Sequence, residues 1–164
     1  MSGRAVLCVG RVYCDLVFTG VPRDPVPGTE VFAGGLSLHA GGGAAITAGW
    51  LHVLGRRGEL CAHLPAAPFD APVRAELAAA GVGTALCGRA TTDEPQVTVA
   101  MVRGDDRAFL TRAPGPAAPP LAAGDLKRLG VAHLHVGELA TLVARPDLLA
   151  AARDAGATIS ADCG

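Results

Sequence analysis

Short apolar runs alternate with helix-forming segments along most of this chain, and this alternation constrains the fold more than any other feature. Apolar runs of this length, bounded by glycine and polar residues, are typical of strands buried on both faces. The runs predicted as strands are Ala5–Val9, Leu60–Leu64, Val82–Cys87, Val131–Val136 and Thr158–Ala161. The segments predicted as helices are 44–54, 70–80, 125–129 and 146–155. Strands that alternate with helices predict an α/β fold with a doubly wound, mostly parallel sheet.

Two further regions do not show this alternation of strands and helices. Extended pieces around Leu16–Thr19 and Glu30–His39 are separated by a proline-rich turn. Val97–Val102 and Ala108–Thr111 flank an Arg-Gly-Asp-Asp-Arg segment that is typical of a hairpin connection. We therefore expect the segments near 16–39 and 97–111 to form a separate small sheet that projects from the main one.

Composition excludes several classes of protein. The 164 residues are 50% apolar, which is enough for the core of one domain. Charged residues make up only 18% and the net charge is −1, so no binding to nucleic acid or to an anionic membrane by bulk charge is expected. An aromatic content of 4% also argues against a base-stacking surface.

The cysteine pattern indicates a reducing compartment. The five cysteines, Cys8, Cys14, Cys61, Cys87 and Cys163, include no C-x-x-C pair. A disulfide-stabilised domain would be denser in cysteine, and a zinc site would show paired spacing. The apolar stretch near the N-terminus is too short for a signal peptide or a membrane span. We therefore predict a cytoplasmic protein.

The last predicted strand lies close to the end of the chain. Only three residues follow Thr158–Ala161, whereas a buried parallel strand needs helices on both faces of its sheet. We therefore expect the C-terminal part of the fold to be missing, with the chain ending inside a domain.

Three acidic residues follow predicted strands. Asp15 comes shortly after the first strand, Glu138 comes two residues after Val136, and Asp162 directly follows Ala161. Ligands of open α/β sheets bind beyond the carboxyl ends of the strands. A single carboxylate there is more often a solvated loop residue, but three at one edge indicate a crevice that binds a polyol or a cation.

The loop Gly41-Gly42-Gly43 leads directly into a helix rich in small residues. Such a loop permits close backbone approach and presents N–H groups at a helix N-terminus to a ligand, although a flexible turn is the alternative. A Walker loop would end in Gly-Lys-Ser/Thr, which does not follow Gly43. A dinucleotide fingerprint would follow the first strand, whereas this loop comes roughly thirty residues later. Both nucleotide-binding interpretations are therefore weakened.

His133 and His135 alternate along a predicted strand and therefore share one face. With Glu138 nearby, zinc or iron binding is conceivable. A pair packed and hydrogen-bonded within the sheet is the more common arrangement, and no third ligand has diagnostic spacing. We therefore predict no metal site.

Several segments together resemble the ribokinase-like (PfkB) carbohydrate kinases. GGGAAITAGWLHVLG resembles the glycine-rich N-terminal signature of the family, and VLCVGRVYCDLVF resembles its first strand, followed by a glycine and an aspartate. PGTEVFAGGLSLHAGG and VTVAMVRGDDRAFLTRAPG resemble the strands of the family's β lid. HLHVGEL and ISADCG resemble later strands of the N-terminal half. The resemblance spans nearly the whole chain, in the family's order.

The resemblance implies that residues 1–164 are the N-terminal, substrate-side portion of one domain of a sugar (or nucleoside-like) kinase, with the two lid segments inserted in it. Asp15 matches the aspartate that binds sugar hydroxyls. Gly41, Gly42 and Gly43 match the loop that lies against the sugar, and Glu138 matches a glutamate that contacts substrate. The implied partner is a small polyhydroxylated substrate.

The same resemblance implies ATP and Mg²⁺ as cofactors of the full enzyme. In the family the ATP site, the anion hole and the catalytic aspartate lie in the C-terminal half, and no Gly-Ala-Gly-Asp motif occurs here. We therefore expect no catalytic residue in this chain and no activity of the chain alone. Ile46 replaces the asparagine usual in the loop helix, so one sugar hydrogen bond is expected to be lacking.

Because a lid sheet leaves an apolar face and strand edges open, a homodimer through the β lid is also expected. Two other functions stay open on the residues alone. One is a non-catalytic sugar- or nucleoside-binding module, and the other is a dinucleotide-dependent oxidoreductase built on the glycine loop.

Overall fold

The computed structural model describes residues 4–163, which form eight strands and five helices. The strands are β1 (Ala5–Val9), β2 (Tyr13–Thr19), β3 (Gly35–Gly41), β4 (Gly58–Cys61), β5 (Val97–Arg103), β6 (Asp106–Arg112), β7 (Val131–Val136) and β8 (Thr158–Ala161). The helices are α1 (Gly43–Val53), α2 (Asp70–Ala79), α3 (Ala123–Leu129), α4 (Leu139–Ala144) and α5 (Asp147–Ala155).

The first sheet is parallel throughout and has the strand order β4-β1-β7-β8. Successive side chains of the central strand β1 enter two different cores, because neighbouring residues of a strand point to opposite faces. Leu7 packs with Leu126 of α3 and Leu148 of α5, whereas Cys8 packs with Val73 of α2 on the other face. Helices therefore cover both faces, which confirms the predicted doubly wound parallel sheet.

The second sheet is separate and has the order β3-β2-β5-β6. Its central strands β2 and β5 are parallel, and each has an antiparallel neighbour on its outer side. A two-residue turn with Gly104 at φ +58° joins β5 to β6. The small sheet predicted from residues 16–39 and 97–111 is confirmed. Since only residues 10–12 separate β1 from β2, this sheet begins at the carboxyl end of the main one.

The strand predicted at Val82–Cys87 is wrong. The segment makes two isolated bridges, one at Gly83 and one at Gly88, and between them the Cys87 N–H donates to the Thr84 carbonyl and closes a turn. The apolar side chains of Val82 and Cys87, which produce the strand-like pattern, pack on the core beside α2 from this irregular backbone.

Other boundaries differ by a few residues. β4 occupies Gly58–Cys61 instead of Leu60–Leu64, and β3 begins later than the predicted extended piece. α4 was not predicted, because six residues are too few to show a helical period. No helix within residues 4–163 combines the length and the apolar character needed to cross a bilayer.

Candidate functional site

Asp15 lies on β2 directly against the backbone of β3. It is paired with His39 across the strands, and its carboxylate rests on the Cα of Gly41. A Cβ built on Gly41 would overlap the Asp15 carboxylate, so this position has no room for any side chain. The contact joins the first predicted site residue to the glycine loop.

The Asp15 carboxylate is only partly satisfied by the protein. Its Oδ1 atom is buried and has no hydrogen-bond partner within the described chain. Burial raises the pKa of Asp15, and a hydrogen bond from the Thr98 side chain partly opposes this rise. A half-buried carboxylate with an unused oxygen is an acceptor that the hydroxyl of a ligand can satisfy.

The glycine loop packs so closely on its neighbours that side chains are excluded from it. Gly42 has φ +99°, and a Cβ there would overlap the carbonyl of Arg11. A Cβ on Gly43 would overlap the carbonyl of Gly137, which follows β7. Gly42 is the N-cap of α1, and no side chain caps this helix end. The loop therefore brings the start of α1 against the carboxyl ends of β1 and β7.

Glu138 follows Gly137 at the carboxyl end of β7 and begins α4. The Gly137 N–H donates to the Val9 carbonyl over 2.9 Å, which ties this turn to β1. The Glu138 carboxylate accepts a hydrogen bond of 2.7 Å from the Thr141 hydroxyl, one turn further along the helix. This hydrogen bond fixes one carboxylate oxygen of Glu138. The residue itself is half-buried.

Tyr13 lies within electrostatic reach of both acidic residues. Burial raises the pKa of the Tyr13 hydroxyl; the Glu138 and Asp15 carboxylates raise it further, and Arg11 lowers it. The five residues predicted for the site therefore lie near one another at the carboxyl edge of the main sheet, in the place where the sequence predicts a ligand crevice. Sequence reasoning missed Tyr13, although strand alternation puts residues 13 and 15 on the same face.

Arg11 was also missed by sequence reasoning. Its guanidinium donates to the carbonyls of Pro114 and Gly115, at 3.0 and 2.8 Å, and so anchors the loop that follows β6. Because Arg11 stands between β1 and β2, this loop is held beside the crevice. No local pattern could have predicted the contact, since its partners are about a hundred residues apart in the sequence.

Asp162 and the two strand histidines lie farther along the same sheet. The ring nitrogens of His133 hydrogen-bond to Thr158 and Ser160, and His135 also contacts Ser160. Burial and the neighbouring His133 lower the pKa of His135, and Asp162 opposes the change. Within residues 4–163, no three His, Cys, Asp or Glu side chains form a group that could hold a metal ion.

Comparison with known proteins identifies the fold. No family model matches the sequence, and no curated protein does. Solved structures do match. Ribokinase from Cryptococcus neoformans var. grubii, in complex with ADP, has a TM-score of 0.75 at 22% identity over 99% of this chain and 50% of that one.

Two further matches have similar values. Fructokinase from Xylella fastidiosa has a TM-score of 0.74 at 19% identity, over 99% of this chain and 53% of that one. A PfkB family carbohydrate kinase from Listeria grayi has a TM-score of 0.74 at 20% identity, over 98% and 52%. The chain thus has the fold of the N-terminal half of ribokinase-like carbohydrate kinases and spans about half the length of the structures it matches.

Proposed function

We propose that this chain is the acceptor-binding portion of an ATP-dependent PfkB-type kinase acting on a sugar or a nucleoside-like compound. The observation that carries the proposal is the site at which Asp15, the loop Gly41–Gly43 and Glu138 come close together. It lies at the carboxyl edge of a doubly wound sheet, the edge at which such sheets bind ligands. The match to sugar-kinase structures supports the same conclusion.

The crevice is suited to a compound with several hydroxyl groups. The unpartnered Oδ1 of Asp15 accepts one hydroxyl, and the remaining lone pairs of Glu138 accept another. Hydrogen bonds to carboxylates are stronger than neutral ones, so two such contacts orient the acceptor. The glycine loop sets the spacing of these groups, because its three residues pack directly on Asp15, Arg11 and Gly137.

A strip of apolar side chains continues beyond Asp15 on the same face of the second sheet. Val17 follows Asp15 by two residues and pairs with Ala100, which in turn pairs with Phe109. Phe109 is 58% exposed. This strip favours an acceptor with a less polar part next to its hydroxyl groups, as a nucleoside has.

The transfer step itself is not assigned to this chain. When bound, Mg-ATP supplies the phosphoryl group, and positioning and electrostatics dominate its transfer. Residues 4–163 provide no cluster of side chains suited to Mg²⁺, and the sequence has no Walker loop. The residues present therefore do not fit Mg-ATP. Asp15, Glu138 and the glycine loop would hold and orient the acceptor, and we expect the 164-residue chain alone to bind it without phosphorylating it.

The test is calorimetric titration of the chain with D-ribose, D-fructose and adenosine, together with an ATP-dependent phosphorylation assay. We expect at least one compound to bind and Asp15→Asn to weaken it about tenfold or more, the scale of a lost hydrogen bond to a charged group. Asp154→Asn, an exposed aspartate on α5, is the control.

Two results would contradict the proposal or part of it. If no compound binds, or if Asp15→Asn binds as tightly as the unmodified chain, the acceptor site is misassigned. Phosphorylation by the chain alone would instead show that its residues do hold Mg-ATP.

We further propose that a second copy of the chain covers the apolar face of the second sheet. On the face opposite Asp15, a ladder of Leu38, Leu16, Val99 and Leu110 runs across all four strands. Leu110 is 71% exposed. An apolar sheet face of this kind is usually covered by another protein surface.

A further inference from the structure

Glu76 of α2 lies outside the crevice and contacts the free edge of the second sheet. Its carboxylate accepts a short hydrogen bond from the backbone N–H of Ala40, one residue before Gly41. β3 is the outermost strand of its sheet, and this N–H points away from β2. Glu76 therefore occupies the place that the backbone of a further strand would take.

The same carboxylate also holds a side chain of β3. Its Oε1 lies 3.2 Å from Nδ1 of His39, and Nε2 of His39 lies 3.0 Å from the Ser37 hydroxyl. Because a carboxylate only accepts, Nδ1 carries a proton; in neutral His39, Nε2 then accepts from Ser37. Glu76 thus makes two contacts with the strand that leads into the glycine loop, and one of them holds His39 in place beside Ser37.

This edge is linked to the crevice in two ways. Ala40 is covalently joined to Gly41, on whose Cα the Asp15 carboxylate rests. His39 is the cross-strand partner of Asp15. Burial is the main cause of the raised pKa of Asp15; the negative charge of Glu76 also raises it, and His39 lowers it.

We propose that Glu76 is a positioning residue, which holds the end of β3 against α2 so that Gly41 lies beneath the Asp15 carboxylate. The consequence of this positioning for ligand binding rests on the proposed function, but the contacts of Glu76 with β3 can be tested without a ligand. A carboxylate on a neighbouring helix that binds both the backbone and a side chain of one strand fixes that strand's distance and its rotation.

The test uses the full chain with Glu76→Ala and Glu76→Gln. Glu94→Ala is the matched control, because Glu94 pairs with Arg112 at the opposite edge of the same sheet. The measurements are amide hydrogen exchange at Ala40, the amide resonances of Gly41–Gly43, and the titration of the Asp15 carboxyl carbon by NMR.

In Glu76→Ala we expect exchange at Ala40 to be about tenfold faster, the equivalent of one lost hydrogen bond to a charged group, and the loop resonances to shift. The midpoint of the Asp15 titration should fall, because a negative charge beside it is removed. Glu76→Gln keeps an acceptor for the Ala40 N–H, so exchange should stay near that of the unmodified chain while the midpoint still falls. Glu94→Ala should change neither quantity.

Sugar titrations distinguish a failure of the proposed role of Glu76 from a failure of the proposed function. D-ribose and D-fructose are titrated into each variant, and Glu76→Ala should weaken any binding about tenfold, with a smaller loss in Glu76→Gln. If the unmodified chain binds neither sugar, the proposed function fails for these probes, and the exchange and titration data still decide the role of Glu76.

The positioning role is overturned if folded Glu76→Ala leaves the glycine resonances and the exchange at Ala40 unchanged, even if the Asp15 midpoint falls through the loss of charge alone. It is also overturned if Glu94→Ala alters the crevice to the same extent, which would indicate general loosening of the sheet. Should Glu76→Ala fail to fold, Glu76→Asp takes its place. Its shorter side chain weakens the contact with the Ala40 N–H and keeps the charge, so exchange at Ala40 and the glycine resonances are then the readouts.

Discussion

The Asp15 carboxylate occupies the space that a Cβ on Gly41 would need, so the two residues depend on each other. Sequence motifs predicted Asp15, the three loop glycines and Glu138 as site residues, and the structure brings these residues near one another. Tyr13 and Glu76 were not predicted. Tyr13 could have been found from strand alternation, which puts it on the same face as Asp15, whereas the contacts of Glu76 with His39 and Ala40 join residues distant in the chain and have no local pattern.

Replacing Asp15 by asparagine should stabilise the fold at neutral pH while it weakens ligand binding. Burial raises the pKa of Asp15, so the folded state disfavours the ionised form. The resulting loss of stability of the folded state is absent below the ordinary pKa of aspartate and fully present once the pH exceeds the raised pKa. Thermal melts of Asp15→Asn should show a higher melting temperature than the unmodified chain at pH 7, because the amide carries no charge to bury, and no gain near pH 3.

The control for this experiment is Asp154→Asn, whose side chain is exposed on α5. It should leave the melting temperature nearly unchanged at both pH values. An equal gain for Asp15→Asn at pH 3 and pH 7 would show that burial of the charge is not the cause.

Gly137→Ala should destabilise the chain, because a Cβ at this position would overlap the backbone nitrogen of Ala44 at the start of α1. Forcing an extra methyl into so close a contact costs about 1–3 kcal/mol. Gly124→Ala provides the opposite case, since a Cβ there meets nothing within 4 Å and the residue lies in α3. It should gain about 0.5 kcal/mol. Urea unfolding of both variants checks the difference, and equal effects would contradict the close packing of Gly137.

At the scale of elements, three strands of the parallel sheet were predicted with the observed bounds: β1, β7 and β8. β1 is buried along most of its length, as a continuous apolar run predicts, whereas β8 alternates between exposed and partly buried residues. The segment Val82–Cys87 shows the same composition without being a strand. Its apolar residues fill the core from a turn, and composition alone does not distinguish the two cases.

Arg11→Ala should release the loop that follows β6. The guanidinium donates to the carbonyls of Pro114 and Gly115, and its loss leaves both without this partner. We expect faster hydrogen exchange over residues 113–120 and a loss of about 1–3 kcal/mol, the value for hydrogen bonds to a charged group. Arg56→Ala, at an exposed position after α1, is the control. Unchanged exchange in this loop would show that other contacts hold it.

At the scale of the whole molecule, the proposed dimer predicts a concentration-dependent assembly. Leu38→Asp and Leu110→Asp place charges on the apolar face of the second sheet and should each shift the chain towards the monomer in sedimentation experiments. Leu149→Asp, an exposed leucine on α5, should leave the assembly unchanged. A monomer at micromolar concentration before any substitution would exclude this interface.

The second sheet draws its four strands from two distant parts of the chain, and this has a consequence for the order of folding. β2, which carries Asp15, can pair with β3 as soon as both have been synthesised, whereas its parallel neighbour β5 emerges only after α1, β4 and α2. Pairings between distant segments form late, because a long loop must close first. We therefore expect the contact of Asp15 with Gly41 to form early on the ribosome. The hydrogen bond between Thr98 and Asp15 should follow when β5 docks beside β2, and Glu138 should join the site only after β7 has been synthesised.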